Sequence, residues 1–170
     1  MSDPIPWADG PPPVPVASVW TPPTGIWDLV LLGPWFAVWL HWLGKRSMPC
    51  LGGCCPTARH GKPVRWSAYA PAALAEYETV ERRKVKTWKP IVLPIGLECA
   101  HEVGAQLGNY PGPGLRLTRK SGQRAWTWAI IPITRQLAGV PKVFDPRPTL
   151  YRLWGVRPPD QAELPAPAND

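Results

Sequence analysis

Residues 35–46 alternate in a way that separates two faces: Phe36, Val38 and Leu40 on one, Trp35, Trp39 and His41 on the other. A period of two is the signature of a strand, and the bulky aromatic side chains favour the same choice. Upstream, residues 26–32 are almost continuously apolar up to Gly33-Pro34, which predicts a short turn or helix ending at that break. Residues 64–69 read as a second strand. Residues 71–77 are ambiguous, with a helical Ala-Ala-Leu-Ala run behind a proline. Residues 86–95 read as a third strand with Ile91, Leu93 and Ile95 on one side, and Pro90 and Pro94 give it an edge position. Leu97, Ala100, Val103 and Leu107 have helical spacing, and the Gly- and Pro-rich run 108–114 stops that helix. Residues 115–120 and 124–133 form the clearest hairpin, turning at Ser121-Gly122-Gln123. Beyond Pro141 only the short apolar segment 150–154 stands out.

Strand, loop, strand, strand, helix, strand, strand is the order of a five-stranded Greek-key barrel with its helix between strands 3 and 4, the OB-fold. The expected class is therefore mainly β, with the loop between strands 1 and 2 and the turn at 120–124 flanking one binding face. The chain has 170 residues and 25 prolines, which crowd the two ends. Segments of that composition cannot bury enough apolar surface to offset chain entropy. Residues 1–25 and 155–170 are expected to be extended or disordered, and residues 26–154 to form the domain.

The net charge of +7 is concentrated in the body, where Lys and Arg outnumber acids by about three to one between residues 35 and 135. Such a balance favours a polyanionic partner. Eleven tryptophans exceed what a core of this size needs, and exposed indoles call for a ligand or partner.

Cys50, Cys54 and Cys55 fall within six positions around Gly52-Gly53, with His41 before them and His60 after. Thiolates and imidazoles mixed at this density suit tetrahedral zinc. His41, Cys50 and Cys55 are the first ligands expected, with Cys54 or His60 as the fourth. Four protein donors close the coordination shell, so the ion would be structural. The N-terminal residues lack the basic start and apolar run of a secretory signal, which predicts a reducing, cytoplasmic setting and metal rather than disulfides. Cys99 reads as a small core residue in the helix.

The spacing His41-x8-Cys50-x4-Cys55-Pro56, the run Gly61-Lys62-Pro63-Val64-Arg65-Trp66 and the element order resemble single-stranded-DNA-binding proteins of phages and mobile elements, some of which carry a zinc loop in an OB barrel. The resemblance covers about residues 35–133. Where that pattern has Cys-Pro-x-Cys this chain has Ala58 in the last position, and Cys54 or His60 would replace the lost ligand. The resemblance implies non-catalytic binding of single-stranded DNA in replication or recombination.

Alternation supplies the binding residues. If Phe36, Val38 and Leu40 face the core, Trp39 points outward; by the same logic Arg65 and Tyr69 point outward on the second strand and Trp88 on the third. Trp39, Tyr69 and Trp88 would stack bases while Arg65, Lys86, Lys89, Arg116, Lys120 and Arg124 neutralise phosphates. Trp126 and Trp128 would lie with Ile130 on an inner face, and Arg82-Arg83-Lys84 reads as a solvated charge run.

Other classes are weaker. The Pro-rich termini could serve a protein-interaction adaptor as extended ligands for aromatic grooves. Residues 26–43 approach the length of a membrane-spanning helix, but Asp28, Gly33-Pro34 and His41 oppose it. No catalytic set emerges: His101-Glu102 lacks the second histidine of a zinc-protease helix, Glu98 and Glu102 fit a solvated helix face, and Gly112-Pro113-Gly114 has a proline where a phosphate loop needs an amide.

Overall fold

The computed structural model describes residues 17–50, 55, 61, 63–105, 112, 114–131 and 139–156. It is mainly β. Its strands are β1 (Ser18–Val19), β2 (Gly25–Leu31), β3 (Phe36–Trp42), β4 (Ser47–Pro49), β5 (Val64–Val80), β6 (Arg83–Ile95), β7 (Gly114–Arg119) and β8 (Thr127–Ile131). Helix α1 spans Leu97–Ala105 and helix α2 spans Arg147–Trp154.

The eight strands form one mixed sheet in the order β1-β6-β5-β2-β7-β8, with β3 on β5 and β4 on β3. Among the described residues only β1 and β6 are paired in parallel. The ladder does not close: among the described residues β1 and β8 each have a single partner, so the expected five-stranded OB barrel is corrected to an open sheet. The physical reason is β5. At 17 residues it is far longer than a small barrel strand, and it pairs with β6 from Ala68 to Val80 in one long hairpin.

The other edge of β5 shows why the apolar run 26–43 is neither a helix nor a membrane span. Strands β2 and β3 lie in tandem along it, both antiparallel, with Leu31 opposite Ala72 and Phe36 opposite Tyr69. The step between those pairs takes five residues on one chain and three on the other, so Gly33-Pro34 sits in a two-residue bulge of an otherwise continuous ribbon. A short apolar run bounded by turn residues does not by itself distinguish helix from buried strand. Here Leu29, Val30 and Leu31 are buried between β5 and β7. No helix among the described residues is long and apolar enough to cross a membrane.

Residues 71–77, ambiguous in sequence, are the middle of β5. Its alanines have low strand propensity, but pairing with β6 throughout, and with β2 at residues 72–74, decides the matter. Pro71 is tolerated because its missing N–H falls in the gap between the β3 and β2 ladders, where only its carbonyl is used, by Leu32 N–H at 2.9 Å. Pro90 and Pro94 follow the same logic on β6. They share the alternation of Val92, whose carbonyl accepts from Trp20 on the β1 side, so their missing donors face the sparsely paired edge.

Both faces of the sheet are covered. On one, Leu29, Leu31, Ala68, Ala70, Ala72, Leu74, Ile91, Leu93, Leu115 and Leu117 pack beneath Cys99, Ala100 and Val103 of α1. Trp20, Trp27, Trp35, Trp66, Trp126 and Trp128 pack around this core as partly buried residues, which accounts for six of the eleven tryptophans. On the opposite face Ala17, Leu40, Tyr69 and Val92 pack against Leu150 and Trp154 of α2. Thr149 donates to the Ala17 carbonyl at 2.9 Å and ties α2 to the start of β1.

Candidate functional site

The His/Cys cluster is built by strand register. His41 pairs with Met48 across the β3–β4 ladder, and Cys50 N–H donates to the Trp39 carbonyl at 2.7 Å one step further on. His41 and Cys50 are therefore diagonal neighbours on one face, within reach of each other. Cys55 joins them. One ligand atom from each of His41, Cys50 and Cys55 lies within 4.8 Å of the other two. His41 Nε2 is 3.5 Å from Cys55 Sγ, close to the edge of about 3.5 Å expected for a tetrahedron with zinc's bond lengths to nitrogen and sulfur.

His41 and Cys55 are each only 1% exposed, and Cys50 is half-buried. An imidazole so far from water needs a partner, and two thiols gathered with it, the three ligand atoms within 4.8 Å of one another, make a candidate metal centre. The other two donors expected from sequence, Cys54 and His60, lie outside the described residues. Cys99 is remote in role: it lies in the α1 core, and burial pushes its thiol up to about 11, with Glu102 adding to the rise.

The residues expected to bind nucleic acid do not converge on one barrel face. Trp39 and Arg65 are exposed near the candidate metal centre, at the start of β5, where Trp39 pairs with Trp66 and Arg65 with Leu40. Lys120 and Arg124 are exposed in the β7–β8 connection. Tyr69 is corrected outright: it is 7% exposed, with its ring edge-to-face on Trp154 at 5.7 Å, and burial raises its phenol pKa. The outward reading failed because α2, which the sequence pattern did not announce, covers that side of the sheet.

Lys86 and Trp88 lie on a different feature, the distal half of the β5–β6 hairpin. The pairing of β2 with β5 stops at Leu74 and that of β1 with β6 at Ile91, so beyond these points the two long strands pair only with each other among the described residues. This two-stranded arm sorts its side chains. Ala75 and Trp88, Tyr77 and Lys86, and Thr79 and Lys84 are paired on one face; Glu76 and Thr87, Glu78 and Val85, and Val80 and Arg83 are paired on the other. Tyr77 is 64% exposed, and Lys86 Nζ lies 4.2 Å from the centre of the half-buried Trp88 ring. Lys89 belongs to the other face, with Arg83, and lies 3.7 Å from Glu76.

At the base of the basic face stands Asp28, held by Arg116 across the β2–β7 ladder. The Arg116 guanidinium holds the Asp28 carboxyl below its ordinary range, and the field of Lys86 acts in the same direction. Arg116, expected to meet phosphate, therefore already carries an anion. The sequence reading did not place Tyr77 and Lys84 on this face. The signal that finds them is alternation across the hairpin, but the turn at Glu81-Arg82 contains no glycine or asparagine to reveal it. No protein-family model, curated protein or solved structure matches this chain.

Proposed function

We propose that this protein is a non-catalytic binder of single-stranded nucleic acid and that the β5–β6 arm is its principal contact. What carries the reading is the distribution of charge across the arm: Tyr77, Lys84, Lys86 and Trp88 share one face with no acid among the arm positions, while Glu76 and Glu78 lie on the other, where Arg83 and Lys89 accompany them. Stacking surfaces interleaved with phosphate-neutralising cations are the physical requirement for sequence-tolerant single-strand binding. The acids, turned to the opposite side, leave that face positive. The exposed Tyr77 ring favours unpaired bases over a duplex, whose bases are already stacked.

The reading takes the ion at His41, Cys50 and Cys55 as zinc in a structural role. The donor set and the 3.5 Å Nε2–Sγ spacing support it. Bound there, zinc would fasten the β4 side of the sheet to β3 and Cys55, a region with few buried apolar residues of its own, and contribute folding free energy directly.

The test is anisotropy of a labelled dT18 strand against an 18-base-pair duplex, over a range of salt. The single strand should bind more tightly, with log affinity falling against log salt by roughly 0.7 per phosphate neutralised. The triple variant Lys84→Ala/Lys86→Ala/Trp88→Ala should weaken dT18 binding at least tenfold. Preference for the duplex, whose major groove admits a two-stranded ribbon, would replace the single-strand reading, and indifference of dT18 to the triple variant would overturn the arm.

A further inference from the structure

A second basic-aromatic group sits at the opposite end of β5, beside the metal centre. The β3–β4 connection turns through Gly44, with Leu43 N–H bonded to the Arg46 carbonyl at 2.9 Å. It presents Lys45 and Arg46 exposed, next to Trp42, which is 55% exposed. Arg65, also exposed, pairs with Leu40 and so shares the face of the sheet that α2 covers. The Arg46 guanidinium reaches that helix: a Cβ added at Gly155, its C-terminal cap, would lie 3.3 Å from Arg46 Nη1. Arg152 is exposed on the last turn of the same helix.

Two observations lift this group above an ordinary solvated surface. The sequence contains no Asp or Glu between Asp28 and Glu76, so no acid from this stretch of chain balances those cations. And Arg65 and Tyr77 occupy alternating positions of the same parity on one strand, which places the corner and the basic face of the arm on the same side of the sheet, with α2 between them. Twelve residues of strand separate them, about 40 Å at 3.3 Å per residue.

We infer that the β3–β4 corner, through Trp42, Arg46 and Arg65, is a second anchor for the same nucleic-acid strand, which runs from the arm across α2 to the metal-braced end of the sheet. This rests on the nucleic-acid reading of the arm. A stacked strand rising about 3.4 Å per nucleotide needs about 12 nucleotides to span the distance. Strand length thus becomes the property that the second anchor reads. The metal centre, which joins β3 to the residues following β4, would keep the corner in place.

The experiment compares dT4, too short to bridge, with dT18 on the full chain. The variant Trp42→Ala/Arg46→Ala/Arg65→Ala should weaken dT18 binding at least fivefold and leave dT4 unchanged. Its salt slope for dT18 should flatten by roughly 1.4, because the two missing arginines no longer neutralise two phosphates. Arg65→Glu alone, at an exposed strand position, should give the same length-dependent loss. Unchanged dT18 affinity in both variants, or an equal loss for dT4 and dT18, would overturn the second anchor. The arm is tested separately: if Lys84→Ala/Lys86→Ala/Trp88→Ala leaves dT4 binding intact, the primary reading fails whatever the corner variants do.

Discussion

Arg116 grips Asp28 through two hydrogen bonds, 2.7 Å from Nε and 2.8 Å from Nη2, between residues directly opposite each other on β7 and β2. A bidentate pair of this kind is stronger than a single contact. Because the folded protein holds the Asp28 carboxyl below its usual range, the associated stability is present above the unfolded value of about 3.9 and is lost as pH falls through the lower folded value. Asp28→Asn should therefore be less stable than the parent in urea at pH 7, with the gap closing below about pH 4. The same substitution releases the Arg116 charge at the base of the arm. Single-strand affinity at pH 7 should rise, and its salt dependence should steepen. A variant that loses stability without gaining affinity would separate Arg116 from the binding face.

The candidate metal centre gives a sharp contrast among the cysteines. Protein purified without added metal should carry close to one zinc per chain, measured by elemental analysis. Cys50→Ser and Cys55→Ser should lose it, and His41→Ala should too, each with a lower melting temperature. Cys99→Ala should retain zinc. In the parent protein the buried Cys99 thiol, pushed up to about 11, should resist alkylation in the native state at pH 8, because the thiolate is the reactive species. A chelator that leaves the melting temperature unchanged would remove the structural role of the ion.

Much of this was legible in the sequence, and the failures have identifiable causes. The faces of β3 follow directly from the alternation of Phe36, Val38 and Leu40 with Trp39 and His41, and α1 follows from the spacing of Ala100 and Val103. His41, Cys50 and Cys55 were recognisable as donors before any geometry. What was hidden is long-range pairing. The alanines of residues 70–75 have no strand signature of their own, and become a strand because β6 pairs with all of them and β2 adds partners at 72–74. Helix α2 was equally quiet, with Leu150 and Trp154 as its only fully buried residues, yet it decides that Tyr69 faces a core and not solvent.

Tryptophans with different surroundings should respond differently to truncation. Trp154 is 2% exposed and packs on Tyr69 and Tyr151. Trp154→Ala should cost about 3–5 kcal/mol, the usual range for a buried indole, measured by urea unfolding. Trp88 is half-buried beneath Lys86. Trp88→Ala should weaken single-strand binding about tenfold, since a stacked base is worth about 1–3 kcal/mol, with a much smaller change in melting temperature. The reverse pattern, stability lost at Trp88 and binding lost at Trp154, would exchange the roles of the two sites.

The tip of the arm offers the last prediction, because it is built against the preference of its own sequence. Glu81 and Arg82 close the β5–β6 hairpin with φ values of 48° and 66°, both left-handed. A two-residue hairpin with positive φ at both positions is a type I′ turn, which matches the twist of the flanking strands but favours Asn-Gly. Glu and Arg reach it only because thirteen paired positions, from Ala68–Ile95 to Val80–Arg83, fix the ladder on either side. Replacing them with Asn-Gly should relieve strain of about 1 kcal/mol or more and raise the urea midpoint. The substitution leaves the net charge unchanged, since one acid and one base are removed together. Affinity for dT18 should therefore hold if Lys84, Lys86 and Trp88 are the contacts. A stabilised variant that nonetheless binds several-fold more weakly would assign a contact to Arg82 at the tip, whereas a destabilised one would show that the turn does not have this geometry in solution.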